Sequence, residues 1–146
     1  MVTALEVVEF EEGFKSHPYY CTEGFPTYGH GFRCGKKGDA LPKISITLDE
    51  SKSRLSDILA ILDKQLQTLP AYKHLSETRH AILVSMCYQV GFEGLKLFKK
   101  FLSACEAEDW KEAARQMLDS KAARQTPARW RRAALAMETG AWRIVK

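Results

Sequence analysis

The chain has 146 residues, 45% of them hydrophobic and 27% charged, which suits one sizeable core with at most a small appended lobe. No run approaches the roughly 20 apolar residues of a membrane helix, and the N-terminus shows neither the basic region nor the apolar stretch of a signal peptide, so synthesis and folding in a cytoplasm are expected. The net charge of +4 is uneven: from residue 120 onward seven Lys or Arg face the single Glu138, whereas the rest of the chain carries fifteen basic against seventeen acidic residues. A basic tract of that kind suits an anionic polymer, either nucleic acid, an acidic membrane surface or a cell wall with its peptide carboxylates, unless it is only a solvated helix face.

In chain order, Ala4 to Glu12 reads as a short amphipathic helix with Leu5, Val8 and Glu12 on one face, and Gly13 is a natural left-handed stop. Glu12 therefore falls in a last helical turn, where the carbonyl end of the helix disfavours a carboxylate anion. After Pro18, the aromatic pair Tyr19 and Tyr20 leads into Glu23-Gly24, a turn signal that predicts a hairpin with Cys21 at its entrance and Thr27 on the return strand. Cys34 to Pro42 is a glycine-rich connector. Thr47 and Glu50 form a capping box that opens a long helix, with Leu55, Ile58, Leu59, Leu62 and Leu66 at helical spacing as far as Pro70.

Ser76 caps the next helix, which is apolar on nearly every side up to Gly91 and is predicted to lie at the centre of a helical lobe. Phe98, Phe101, Leu102 and Cys105 mark another helix, Asp109 caps a short one, and Thr126-Pro127 opens a last helix ending at Gly140. The expected fold class is α+β and mostly helical: a single domain over 1–146 with a small N-terminal lobe at about 13–46 carrying an antiparallel hairpin or sheet, a connecting helix at about 47–67, and a helical C-terminal lobe at about 70–146 with helix 1–12 packed near it. Cys21, Cys34, Cys87 and Cys105 show no C-x-x-C spacing, so reduced thiols are the default. His17 and His30 lie near Cys21 and Cys34, but the spacing fits no common zinc pattern, and no metal or other cofactor is expected.

Glu12, eight intervening residues, Cys21, five more, and Thr27 form the constellation with chemical content. Each has a bland alternative: an exposed glutamate beside Glu6, Glu9 and Glu11, a small buried cysteine, and a β-branched strand residue. The spacing resembles the phage-type lysozymes, the muramidase endolysins of tailed phages. Thr22 to Gly31 (TEGFPTYGHG) is similar to the hairpin segment of that family, Gln125 to Arg129 (QTPAR) and Glu138 to Trp142 (ETGAW) resemble its C-terminal signature, and Tyr88 to Gly91 and Asp109 to Ala114 fall where it has similar segments. Two departures stand out: the chain is short between Arg33 and Ile46, and Phe32 occupies a place where the family usually has a histidine, which removes a buried polar partner near the hairpin.

The resemblance implies a lysozyme-like fold and a glycoside hydrolase that cuts the β-1,4 bond between N-acetylmuramic acid and N-acetylglucosamine in peptidoglycan, for host cell lysis. It casts Glu12 as the acid, Cys21 in place of the more common aspartate, and Thr27 as the hydroxyl that positions water. Arg129 is then a supporting partner of the acid, while Tyr88, Gln89 and Gln116 contact the glycan. It also implies a monomer made in the host bacterial cytoplasm, acting on the wall in the periplasm after a phage membrane-permeabilising protein gives access. Two alternatives stay open. A lytic transglycosylase needs only one glutamate on the same bond, and a non-catalytic wall or nucleic-acid binder would use the basic tract, with Trp130 in RWRR stacking on a base.

Overall fold

The computed structural model describes residues 2–143. Helix α1 (Ala4–Glu12) leads into strands β1 (Lys15–Tyr20), β2 (Pro26–Gly29) and β3 (Phe32–Arg33), followed by α2 (Leu48–Leu66), a 3-10 turn (Pro70–His74), α3 (Glu77–Lys96), α4 (Lys99–Glu106), α5 (Trp110–Leu118), α6 (Lys121–Gln125) and α7 (Pro127–Thr139). The fold is α+β and mostly helical, as the residue pattern predicted. The chain divides into two compact units: Val8–Ile58, and the segment before it together with Leu59 onward.

In the Val8–Ile58 unit the three strands form one antiparallel sheet in the order β1-β2-β3, with Tyr19 opposite Thr27 and Thr27 opposite Arg33. Gly13 adopts φ +67 and its N–H returns to Glu9 O at 2.9 Å, so α1 stops where a left-handed glycine stops it. The hairpin turn closes through Cys21 N–H to Phe25 O at 3.0 Å and Gly24 N–H to Cys21 O at 2.9 Å, with Gly24 at φ +86. The stretch after Cys34 has no regular element until α2, and is tied down at single points: Gly38 N–H to Gly24 O at 3.1 Å, Tyr20 Oη to Asp39 O at 2.7 Å, and Ile46 N–H to Ser16 O at 3.0 Å. The capping box is reciprocal, Glu50 N–H donating to Thr47 Oγ1 and Thr47 N–H to Glu50 Oε1, both at 3.1 Å.

The other unit is helical. Residues 81–87 of α3 are buried without interruption, which is why that helix shows no polar face in the sequence. Gly91, at φ 79 and ψ 161, breaks the helical path, and one further turn runs on to Lys96. Arg79 reaches across to the end of α7, donating through Nε to Met137 O at 2.7 Å and through Nη2 to Glu138 O at 3.0 Å, so carbonyls that have no partner within the helix are satisfied. Its guanidinium also lies 4.1 Å from the centroid of the Trp110 ring.

The C-terminal part departs from expectation in two ways. A short helix, α6, begins at Ser120, whose hydroxyl accepts from Ala123 N–H, in a stretch with no strong apolar period. Thr126 does precede α7, but its side chain does not cap it; the hydroxyl donates back to Ala122 O at 3.3 Å and accepts from Gln89 Nε2 at 3.1 Å. Trp130 is only 1% exposed and stacks on Phe98 with ring centroids 5.8 Å apart. An indole buried in this way is core, so stacking of Trp130 on a nucleic-acid base, the idea behind the non-catalytic alternative, is ruled out in this fold.

Candidate active site

Glu12, Cys21 and Thr27 all belong to the Val8–Ile58 unit. Glu12 is the last residue of α1, half-buried, and its carboxylate rests against the backbone of Gly31: a Cβ built on that glycine would fall well inside van der Waals contact with Glu12 Oε1. Gly31 also sits at φ +83, so both its conformation and its missing side chain belong to the seat of the carboxylate.

Cys21 is half-buried at the mouth of the hairpin, and its Sγ accepts from Phe25 N–H at 3.4 Å. Partial burial pushes the thiol up. The Phe25 and Glu23 N–H groups, the Thr27 hydroxyl and the Arg33 guanidinium all favour the thiolate, and together they leave it below the usual thiol range. Arg33 is held over the Phe25 ring at 3.8 Å and paired with Glu23 at 3.1 Å, so its charge is fixed on the turn that carries Cys21. Thr27 is 3% exposed and its hydroxyl lies 2.9 Å from Phe25 O. A hydroxyl has one proton, so Thr27 donates either to that carbonyl or to a Cys21 thiolate, and its lone pairs are left able to accept from a donor such as water.

Two residues that sequence reasoning did not assign to the site belong beside it. Tyr19 faces Thr27 directly across the β1–β2 ladder, which brings their Cβ atoms within about 5 Å of each other. Burial, then the charges of Glu12 and Cys21, push its phenol up, so the group stays a protonated donor. Its signal was available in the alternation of the strand, since Tyr19 precedes Cys21 by two residues. His30 is 2% exposed, with Nδ1 2.6 Å from Ser51 Oγ, and Nε2 4.0 Å from Glu9, which is also paired with Lys52 at 3.6 Å. Burial lowers its pKa, with Glu9 and Glu12 opposing and Lys52 assisting, so the imidazole is held neutral. His30 thus supplies the buried polar anchor that Phe32 cannot. Phe32 is itself buried in the core, with its ring 6.4 Å from that of His30.

The remaining candidates lie in the helical unit. Tyr88 and Gln89 are half-buried on α3, just before the break at Gly91. Gln116, on α5, donates to Glu112 Oε1 at 2.9 Å. Arg129, on α7, is half-buried and donates through Nη2 to Ser85 Oγ at 3.4 Å.

A model of the phage lysozyme family matches residues 9–134, which takes in Glu12, Cys21, Thr27 and Arg129 together. The chain belongs to the phage lysozyme family. The enzyme is therefore a glycoside hydrolase of the lysozyme type, and the activity of its family is peptidoglycan degradation. Two probable T4-type lysozymes of Dictyostelium discoideum are 28% and 29% identical to it over 164 residues, covering 96% of each chain. The pre-baseplate central spike protein Gp5 of Enterobacteria phage T4 is 26% identical over 92% of this chain, which corresponds to 27% of that longer protein.

Proposed function

We propose that the enzyme hydrolyses the β-1,4 bond between N-acetylmuramic acid and N-acetylglucosamine with Glu12 as general acid, and that a water held by Thr27 and deprotonated by Cys21 attacks from the opposite face of the sugar. The single observation that best supports this reading is the set of groups gathered around the Cys21 sulfur, with Phe25 N–H donating to it at 3.4 Å and Arg33 held on the same turn. An ordinary thiol with a pKa of about 8.5 is mostly protonated at neutral pH and cannot take a proton from water. Here two backbone N–H groups and the Arg33 guanidinium favour the thiolate, at a place where the family more commonly has a carboxylate.

The protonated Glu12 carboxyl gives its proton to the glycosidic oxygen as the bond from that oxygen to the anomeric carbon breaks. The water oxygen bonds to the anomeric carbon while its proton passes to the Cys21 sulfur. Thr27, buried and fixed by Phe25 O, can accept from that water without reorganising. Gly31 leaves room for the Glu12 carboxyl, and Tyr19 stands opposite Thr27 across the β1–β2 ladder. Arg129 is assigned a part in orienting the acid, and Tyr88, Gln89 and Gln116 in gripping the glycan, all on the family resemblance. The same resemblance supports host cell lysis as the biological role: a monomer made in the host cytoplasm, admitted to the periplasmic wall by a membrane-permeabilising phage protein.

Product analysis tests the chemistry. Purified glycan strands should yield fragments with a reducing end, and the anomer first released, read by NMR, should be inverted. A retained anomer would mean that the Cys21 sulfur attacks the sugar directly, and products one water lighter would mean that the sugar's own hydroxyl replaces water. Either result ends the proposed mechanism.

A further inference from the structure

Thr126 stands at the N-cap position of α7, yet its side chain makes no capping bond to the first turn of that helix. The hydroxyl is used elsewhere. It donates to Ala122 O, in α6, at 3.3 Å and accepts from Gln89 Nε2, in α3, at 3.1 Å. A carbonyl has two lone pairs, and that of Ala122 also takes Thr126 N–H at 3.0 Å, so its satisfaction does not depend on the hydroxyl. The distinctive consequence lies at Gln89.

A glutamine side chain carries donors at one end of its amide and an acceptor at the other, with nearly the same shape, so its neighbours decide which way it faces. Thr126 gives its single hydroxyl proton to Ala122 O and meets Gln89 with a lone pair. The NH2 end of Gln89 therefore turns to Thr126, and Oε1 is left as an acceptor; among the described residues no donor engages it. Gln89 is half-buried, two residues before the break in α3 at Gly91. Its bond to Thr126 spans 37 residues and ties α3 to the junction of α6 and α7.

We propose that Thr126 is a positioning residue for the hydrolysis: by fixing the NH2 end of Gln89, it holds the amide oxygen ready to accept from an amide N–H of the substrate, on either a sugar acetamido group or the stem peptide. This rests on the part assigned to Gln89 in gripping the glycan. A cap given up at the start of α7 is then the mark of a residue held for function and not for the helix.

Michaelis parameters on soluble peptidoglycan strands, followed by new reducing ends, test the proposal. Thr126→Val keeps the shape and removes the hydroxyl; it should raise KM about threefold to tenfold with kcat little changed, the pattern of a binding contact weakened. Its unfolding midpoint should match wild type, since no cap is lost and Ala122 O keeps the Thr126 N–H. Thr126→Ser retains the hydroxyl and should return KM to the wild-type value. Gln89→Ala should raise KM at least as much as Thr126→Val, and combining the two should add nothing, because Thr126 acts only through that amide. A penalty that persists on strands stripped of stem peptides assigns the acetamido N–H, and one confined to intact strands assigns the stem peptide. If Gln89→Ala has the KM of wild type, the glycan role of Gln89 falls and this proposal with it. If Gln89→Ala raises KM while Thr126→Val leaves it unchanged, or if the two effects add, the positioning role alone is overturned.

Discussion

Replacing Gly31 by alanine would separate the seat of the proposed acid, Glu12, from the stability of the fold. The new Cβ meets Glu12 Oε1, the far end of a flexible side chain, so the carboxylate yields rather than the backbone. Restoring ordinary contact moves the oxygen by about 1 Å, and misplacement on that scale costs a reaction roughly 100-fold. The left-handed φ of +83 adds about 1–3 kcal/mol of strain, which for a chain of this size lowers Tm by roughly 3–10 °C. Gly38→Ala is the matched control, since Gly38 has φ +84 and nothing within 4 Å of its added Cβ: it should lose similar stability and keep its activity. The assay is turbidity loss of permeabilised Gram-negative cells beside thermal melts of all three proteins. Full clearing by Gly31→Ala, or an equal loss in Gly38→Ala, would refute the idea that Gly31 seats the acid.

Thiol alkylation of Cys21 should abolish clearing, its rate should half-titrate below the usual thiol range because the thiolate is favoured, and Cys21→Asp should restore activity; clearing that survives complete alkylation removes Cys21 from the chemistry. Asp63 accepts from His80 at 2.5 Å and from Tyr72 and Gln67 at 3.1 Å. Burial raises its pKa but these bonds outweigh burial, so the folded value lies below the unfolded one of about 3.9; the stabilisation is present above that pH and lost as pH falls through the folded value. Urea midpoints of Asp63→Asn should therefore trail wild type at pH 7 and converge with it in acid, and a gap constant from pH 7 to pH 3 would contradict the assignment. Clearing should weaken as ionic strength rises past the point where the Debye length shrinks below about 8 Å, and reversing Arg131 and Arg132 to glutamate should flatten that curve; an unaltered curve leaves the tract a mere solvated surface.

Local rules made much of this architecture legible in the residues. A left-handed glycine ends α1, a reciprocal capping box opens α2, and an all-round apolar run marks α3, because each of these is set by neighbours within a few positions. What stayed hidden depends on contacts distant in sequence. His30 was legible only as a histidine near cysteines, since its partner Ser51 is twenty-one residues away and belongs to α2. Thr126 has the residue type of a cap, yet its hydroxyl is engaged by Ala122 O and Gln89, and Trp130, flanked by arginines in the sequence, is drawn into the core against Phe98. At the site, the spacing of Glu12, Cys21 and Thr27 carried the family resemblance, but it could not place Tyr19 beside Thr27 or reveal the groups that favour a Cys21 thiolate. Those follow from the strand register and the closure of the turn at Phe25.

The most direct measurement of the central claim is the clearing rate of permeabilised Gram-negative cells by wild type and by Glu12→Gln, which keeps the shape of the side chain and removes its transferable proton. The expected result is rapid clearing by wild type and a loss of at least about 100-fold in the variant, with an unchanged unfolding midpoint. Equal clearing by the two proteins would contradict the assignment of Glu12 as the acid.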